Sequence, residues 1–231
     1  FSSDGRFLAL RRARDLHLFE IATNRQIGEP IHHRAQLLTW RFSPDGQSIA
    51  TTDGDIGVQI WNVKTGRRVM LFPHRTFIRG LAFSRDGRRL LTWSRIETRI
   101  WDVATGRPLT DWVVGGNDIF GAAFNHDETQ FVTHAQTGRE IRIWDSATGR
   151  LLSEPFAVAG NAFAFSADDR FLISVGAGRM LIWPMPPIFQ NEAAPDWLLR
   201  LGTALAGGEI DDRGVFRERA FDAKTFDQLR T

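Results

Sequence analysis

The chain has 231 residues, 42% of them hydrophobic and 11% aromatic, which suffices for a substantial core and excludes a disordered segment. It has no cysteine, so disulfides, thiolate metal sites and a cysteine nucleophile are excluded, and no apolar run is long enough to span a bilayer. Charge is nearly balanced at +2, with 29 basic residues against 27 acidic, and no basic stripe of the kind a nucleic-acid surface needs.

The chain opens on a box, Phe1-Ser2-Ser3-Asp4-Gly5, that returns at Phe42 (FSPDG), Phe83 (FSRDG), Phe124 (FNHDE) and Phe165 (FSADD), each step 41 residues. Serine, proline, aspartate and glycine in this order are turn chemistry: proline pre-sets φ, aspartate bonds its own backbone, and glycine takes positive φ. The first unit predicts strands over 7–10, 16–19 and 26–27, and the second over 37–42, 48–52, 58–61 and 68–72. The third predicts 78–83, 89–93, 98–101 and 108–112, and the fourth 119–124, 130–133, 141–144 and 151–153. The fifth has 161–165, 171–175 and 180–183 before periodicity stops at Pro184-Met185-Pro186-Pro187, since proline cannot donate ladder bonds. The third strand of each unit ends on an aromatic residue: Phe19, Trp61, Trp101, Trp144 and Trp183. A turn such as Ala104-Thr105-Gly106 follows it in most units. A fixed period near forty with several short strands per period is the signature of an array of small antiparallel sheets.

From Phe1 to about Trp183 these boxes and strand ends resemble the WD-repeat β-propeller family. The resemblance implies an all-β fold: about five visible four-stranded blades, part of a seven- or eight-bladed ring, with units at 1–31, 32–72, 73–114, 115–156 and 157–183. It also implies a bracing network of His, Ser or Thr, Asp and Trp in each blade. The second unit supplies His33, Thr51 or Thr52, Asp55 and Trp61, and the third keeps His74 and Trp101 but has Arg95 where the Asp should stand. The fourth has Gly115 and Gly138 at the His and Asp places beside Trp144, and the fifth Phe156 and Ala177 beside Trp183. Apolar packing should carry more of the later blades. Phe1 is not an initiator methionine and falls at the end of an innermost strand, so two or more blades are expected upstream.

Residues 184–231 change character: a proline-rich linker, then a helix from Pro195-Asp196-Trp197 with Trp197, Leu198, Leu201 and Leu205 on one face. Gly207-Gly208 stops it, Asp211 to Gly214 forms a turn, and Asp222 can cap a second helix. This tail is similar to those that follow the propeller in large bacterial WD-repeat proteins, some of which carry an N-terminal serine/threonine kinase.

No catalytic motif is present: no G-x-S-x-G, S-x-x-K, phosphate loop or H-E-x-x-H. Asp53-Gly54-Asp55 has the first letters of a calcium loop, but Lys64 stands at the twelfth position, where a bidentate glutamate belongs. His32, His33 and His74 share no carboxylate spacing that would make a metal site, and no cofactor is expected. Two classes of function remain. The first is a non-catalytic scaffold in the cytoplasm that binds a protein or peptide at one mouth of the propeller. Loops before the innermost strands bring Arg34, Arg75, Asn117 and Asn161 to that mouth, and the turn after the second strand adds Arg95. A variant makes the chain the docking part of a larger kinase. The second class, a lactonase-like hydrolase, needs carboxylates or histidines lining the channel, which the inward positions lack. The arginine clusters Arg11-Arg12-Arg14 and Arg85-Arg88-Arg89 suit solvated loops, and an acidic or phosphorylated partner is the other reading they leave open.

Overall fold

A computed structural model describes residues 1–53, 57–115, 118–136, 139–158, 160, 162–176 and 179–186, with the strand backbone of 208–210 and 216–218. The first sheet is β1 (Phe7–Arg12), β2 (Asp15–Glu20) and an outer line in two pieces, β3 (Arg25–Gln26) and β4 (Ile31–His32), both paired with β2. Three four-stranded meanders follow, each antiparallel in chain order. They are β5 (Thr39–Phe42) to β8 (Arg68–Phe72) with β6 (Ser48–Thr52) and β7 (Val58–Asn62) between, then β9 (Ile78–Phe83), β10 (Arg89–Ser94), β11 (Glu97–Asp102) and β12 (Val113–Val114). The third meander is β13 (Ile119–Phe124), β14 (Gln130–Ala135), β15 (Glu140–Asp145) and β16 (Phe156–Ala157). A fifth sheet has three strands, β17 (Ala162–Phe165), β18 (Phe171–Gly176) and β19 (Arg179–Pro184).

The sheets stack because each is apolar on both faces. Along β6 and β7, Ile49 and Trp61 are partners turned toward the first sheet, and Ala50 and Ile60 are partners turned toward the third. Period-2 alternation therefore supplies two buried faces per sheet instead of one. Four separate cores result, one between each successive pair of sheets. Among the first strands β9 contacts both β5 and β13, so the sheets fan from a common inner edge. Equivalent isoleucines show what the stacking does: Ile60, Ile100 and Ile143 are 1%, 0% and 1% exposed, whereas Ile182 on the last sheet is 54% exposed.

The box turn is built the same way five times. The second residue donates to the carboxylate of the fourth, from Ser2 to Asp4 at 2.6 Å, Ser43 to Asp45 at 2.5 Å, Ser84 to Asp86 at 2.7 Å, Asn125 to Asp127 at 2.7 Å and Ser166 to Asp168 at 2.6 Å. Its side-chain oxygen also accepts the N–H that starts the next strand, at Phe7, Ser48, Arg89, Gln130 and Phe171. The fifth residue has positive φ in every copy, 70°, 68° and 71° at Gly5, Gly46 and Gly87, and still 60° at Glu128 and 56° at Asp169. The architecture thus holds a left-handed residue even where glycine is gone.

The outer strands differ from expectation. The sequence predicts 108–112 in the third unit, but Pro108 makes only an isolated bridge to Trp101, and pairing resumes at Val113–Val114. Thr110 occupies the gap: its hydroxyl accepts the Ile100 N–H at 3.2 Å, and its carbonyl accepts Arg99 Nε at 2.9 Å. In the fourth unit Leu151 is likewise an isolated bridge, to Trp144, and the paired outer strand is Phe156–Ala157. The predicted tail helices fall outside the described residues. Within the tail, β20 (Gly208–Ile210) pairs antiparallel with β21 (Phe216–Glu218), on either side of the predicted Asp211–Gly214 turn.

Candidate functional site

Hydrogen bonds brace the Trp-bearing sheets, with a different solution in each. In the third sheet Trp101 Nε1 donates to Thr92 Oγ1 at 2.9 Å, and Thr92 Oγ1 lies 2.8 Å from His74 Nε2. His74 Nδ1 faces the Phe72 carbonyl at 2.8 Å, so Nδ1 carries the proton and Nε2 accepts the threonine hydroxyl. A main-chain carbonyl thus takes the place of the missing Asp. Burial, only partly opposed by that carbonyl, pushes the His74 pKa down to about 4. Trp112 and Arg99 close over the group, with the Arg99 guanidinium 4.5 Å from the Trp112 ring and 5.1 Å from Trp101.

In the second sheet Trp61 Nε1 donates to Thr51 Oγ1 at 2.9 Å, and His33 Nδ1 stands 3.4 Å from Asp53. Asp55 lies outside the described residues; the carboxylate at His33 among those described is Asp53, a position the spacing rule does not select. In the fourth sheet Trp144 donates to Thr133 at 3.0 Å, and Thr133 donates to the Gly115 carbonyl at 3.2 Å. A Cβ on residue 115 would stand 2.7 Å from Ile119 Cδ1 and 3.1 Å from Thr133, so a side chain there requires Ile119 to move. In the fifth sheet Trp183 Nε1 has no partner among the described residues, and the ring packs on Phe156 at 4.6 Å.

The box turns line one mouth and latch to each other. Ser3 donates to the Pro44 carbonyl at 2.5 Å. Glu128 accepts the Arg85 main-chain N–H and pairs with Arg89 at 2.8 Å, and Asp169 accepts from His126 N and Asp127 N at 2.8 and 2.7 Å. The carboxylates that replaced glycine are the latching groups.

At the opposite mouth the structure brings turns and loops together. Arg14 Nη1 donates to the Arg34 carbonyl at 3.2 Å, which joins the β1–β2 turn to the loop before β5. Arg95 Nε lies 3.1 Å from Asp118, joining the β10–β11 turn to the loop before β13. Arg34 and Arg75 occupy equivalent exposed places 41 residues apart, and neither makes an ion pair among the described residues. Arg95, by contrast, shares Asp118 with Arg79, whose Nη1 is 2.8 Å from it. Asn117 and Asn161 lie outside the described residues. The box and the Trp repeat gave no reason to single out Arg79 or Asp118; the signal available was the 41-residue step, which puts Asp118 at the place of Phe77. Exposed Phe77, Ile96, Val114 and Phe120 share this rim. Among the described residues no three His, Asp or Glu side chains converge as a metal site, and no helix is long and apolar enough to cross a membrane.

Sheets of this order, fanned from their first strands with an aromatic residue ending each third strand, are the blades of a β-propeller. No family model matches the chain. It is 26% identical over 203 residues to apoptotic protease-activating factor 1 of Rattus norvegicus, covering 85% of this chain and 16% of that protein. It is 32% identical over 108 residues to COMPASS component SWD3 of Saccharomyces cerevisiae, covering 46% of this chain and 34% of that one. It is 36% identical over 70 residues to eukaryotic translation initiation factor 3 subunit I of Aspergillus fumigatus, covering 30% and 21%. The chain therefore spans about a third or less of each of these relatives. All three are eukaryotic WD-repeat proteins, and the successive four-stranded antiparallel sheets of this chain are those of a WD-repeat propeller.

Proposed function

We propose that the chain is a non-catalytic protein-interaction scaffold that holds a protein or peptide at the mouth formed by the loops before the inner strands and the turns after the second strands. Arg34, Arg75 and Arg95 are its contact residues, with Asn117 and Asn161 in the corresponding stretches of the sequence of the later units. The observation that carries this reading is the pair Arg34 and Arg75: exposed, equivalent in adjacent blades, and without an acidic partner among the described residues. They sit on loops fixed by four packed cores, and loops on a rigid frame are where recognition concentrates. Two relatives are named as a component and a subunit of larger assemblies, which supports a binding role.

The test is affinity capture with the whole chain and with R34E/R75E/R95E, with circular dichroism to confirm that the variant remains folded. Loss of the captured partner is expected. Capture of the same partner in the same yield by the folded variant refutes the assignment of the mouth. Because Arg95 is tied to Asp118, R34E/R75E alone should account for most of the loss.

A further inference from the structure

The sequence has two arginine clusters, and among the described residues only the second holds a close arginine–carboxylate pair. At the box mouth Arg89 pairs with Glu128 at 2.8 Å, Arg88 lies 3.9 Å from Asp86, and the Arg85 backbone is bound by Glu128. At the opposite mouth Arg11, Arg12 and Arg14 gather with Arg34 on the seam between the first and second sheets. Arg11 Nη1 donates to the Leu37 carbonyl at 2.9 Å and Arg14 Nη1 to the Arg34 carbonyl at 3.2 Å. A main-chain carbonyl fixes a guanidinium in place without cancelling its charge. All four are exposed, and neither Arg12 nor the Arg34 guanidinium has a hydrogen bond or ion pair among the described residues. The carboxylates nearby are engaged: Asp15 with His32 at 2.8 Å, and Asp53 buried against His33. Asp55 is outside the described residues. Arg75 continues the arc one blade further on.

We propose that this seam recognises an acidic segment of the protein partner, rich in glutamate or aspartate, laid across Arg11, Arg12, Arg14 and Arg34 toward Arg75. The proposal rests on the mouth being the binding face and names the chemistry it selects. Arginine forks match carboxylates in a planar, two-bond geometry. Two of the four are already positioned by the backbone, so less side-chain freedom is lost on binding. The contacts are exposed, so affinity comes from several together and falls as salt rises.

The experiment is fluorescence anisotropy of the full chain with a labelled peptide alternating Glu and Ser, beside a Gln–Ser peptide and an oligoribonucleotide of equal charge. Saturable binding of the Glu peptide is expected, weakened about tenfold or more by R12E/R34E, a loss of roughly 1.4 kcal/mol or more. R85E/R88E, the same charge change at the opposite mouth, should leave it unchanged. No saturable binding of the Glu peptide, equal weakening by both double variants, or tighter binding of the oligoribonucleotide overturns the proposal. If the Gln–Ser peptide binds equally well and R12E/R34E weakens it equally, the acidic class falls while the mouth reading stands. Survival of partner capture in R34E/R75E/R95E removes the mouth reading itself.

Discussion

Replacing Thr92 with valine keeps the volume of the side chain and removes one oxygen. Thr92 is fully buried, and that oxygen both accepts the Trp101 N–H at 2.9 Å and serves His74 Nε2 at 2.8 Å. T92V therefore strands two neutral polar groups, one on a ring only 3% exposed and one on a half-buried imidazole. An orphaned buried group costs about 1–3 kcal/mol, so about 3 kcal/mol in total is expected once partial rehydration of the imidazole is allowed for. T92S keeps the oxygen and loses a methyl, for about 1 kcal/mol. T133V strands only the Trp144 N–H, because the Gly115 carbonyl keeps Arg142 as a donor at 3.0 Å, so its cost should be about half that of T92V. Urea unfolding followed by tryptophan fluorescence reads all three as midpoint shifts, which do not require a two-state extrapolation in a repeat array. T92V at least as stable as T92S, or T133V costing as much as T92V, would refute the bracing account.

Acid should loosen the same blade. The His74 pKa lies at about 4 in the folded chain and about 6.5 in an unfolded one, so the unfolded state binds the proton first as pH falls. Stability is then full above about pH 6.5 and declines toward pH 4, by about 3 kcal/mol from this group. Burial pushes His33 and His134 in the same direction. The urea midpoint measured from pH 7 to pH 4.5 should fall, and less steeply in H74F, since Phe156 already fills the equivalent place against Trp183. A profile unaltered by H74F would remove His74 as its source. At the box mouth, E128A loses the contacts to Arg85 and Arg89 while keeping a positive φ, whereas E128G relieves the backbone by about 1 kcal/mol. E128G should therefore melt above E128A, and the reverse order would show that residue 128 carries no left-handed strain.

What the sequence made legible was whatever repeats. The box, the aromatic strand end and the 41-residue step placed the inner three strands of each blade, because alternation and turn chemistry are local. The outer strands were less legible: Pro108 and Thr110 sit in a stretch that reads as strand, and only the Arg99 side chain and the Ile100 N–H show that Thr110 interrupts the ladder. The network at His74 was legible in part, since spacing finds Trp101 and His74 but not the Phe72 carbonyl that stands in for an acid. At the mouth, periodicity puts Arg34 and Arg75 in matching loops, yet Arg95 reads identically as a free cation until Asp118 is seen to hold it. Charge pairing across blades is a three-dimensional fact with no one-dimensional signature.

The carboxylates that replaced glycine in the last two boxes point one way along the chain. Glu128 grips the turn made 41 residues before it, and Asp169 grips the next in the same sense. Each of these two blades is thus tied to its predecessor in the chain by a side chain of its own. The same turns that close these sheets also couple each to its neighbour, the nearest-neighbour contact on which the stability of a repeat array depends.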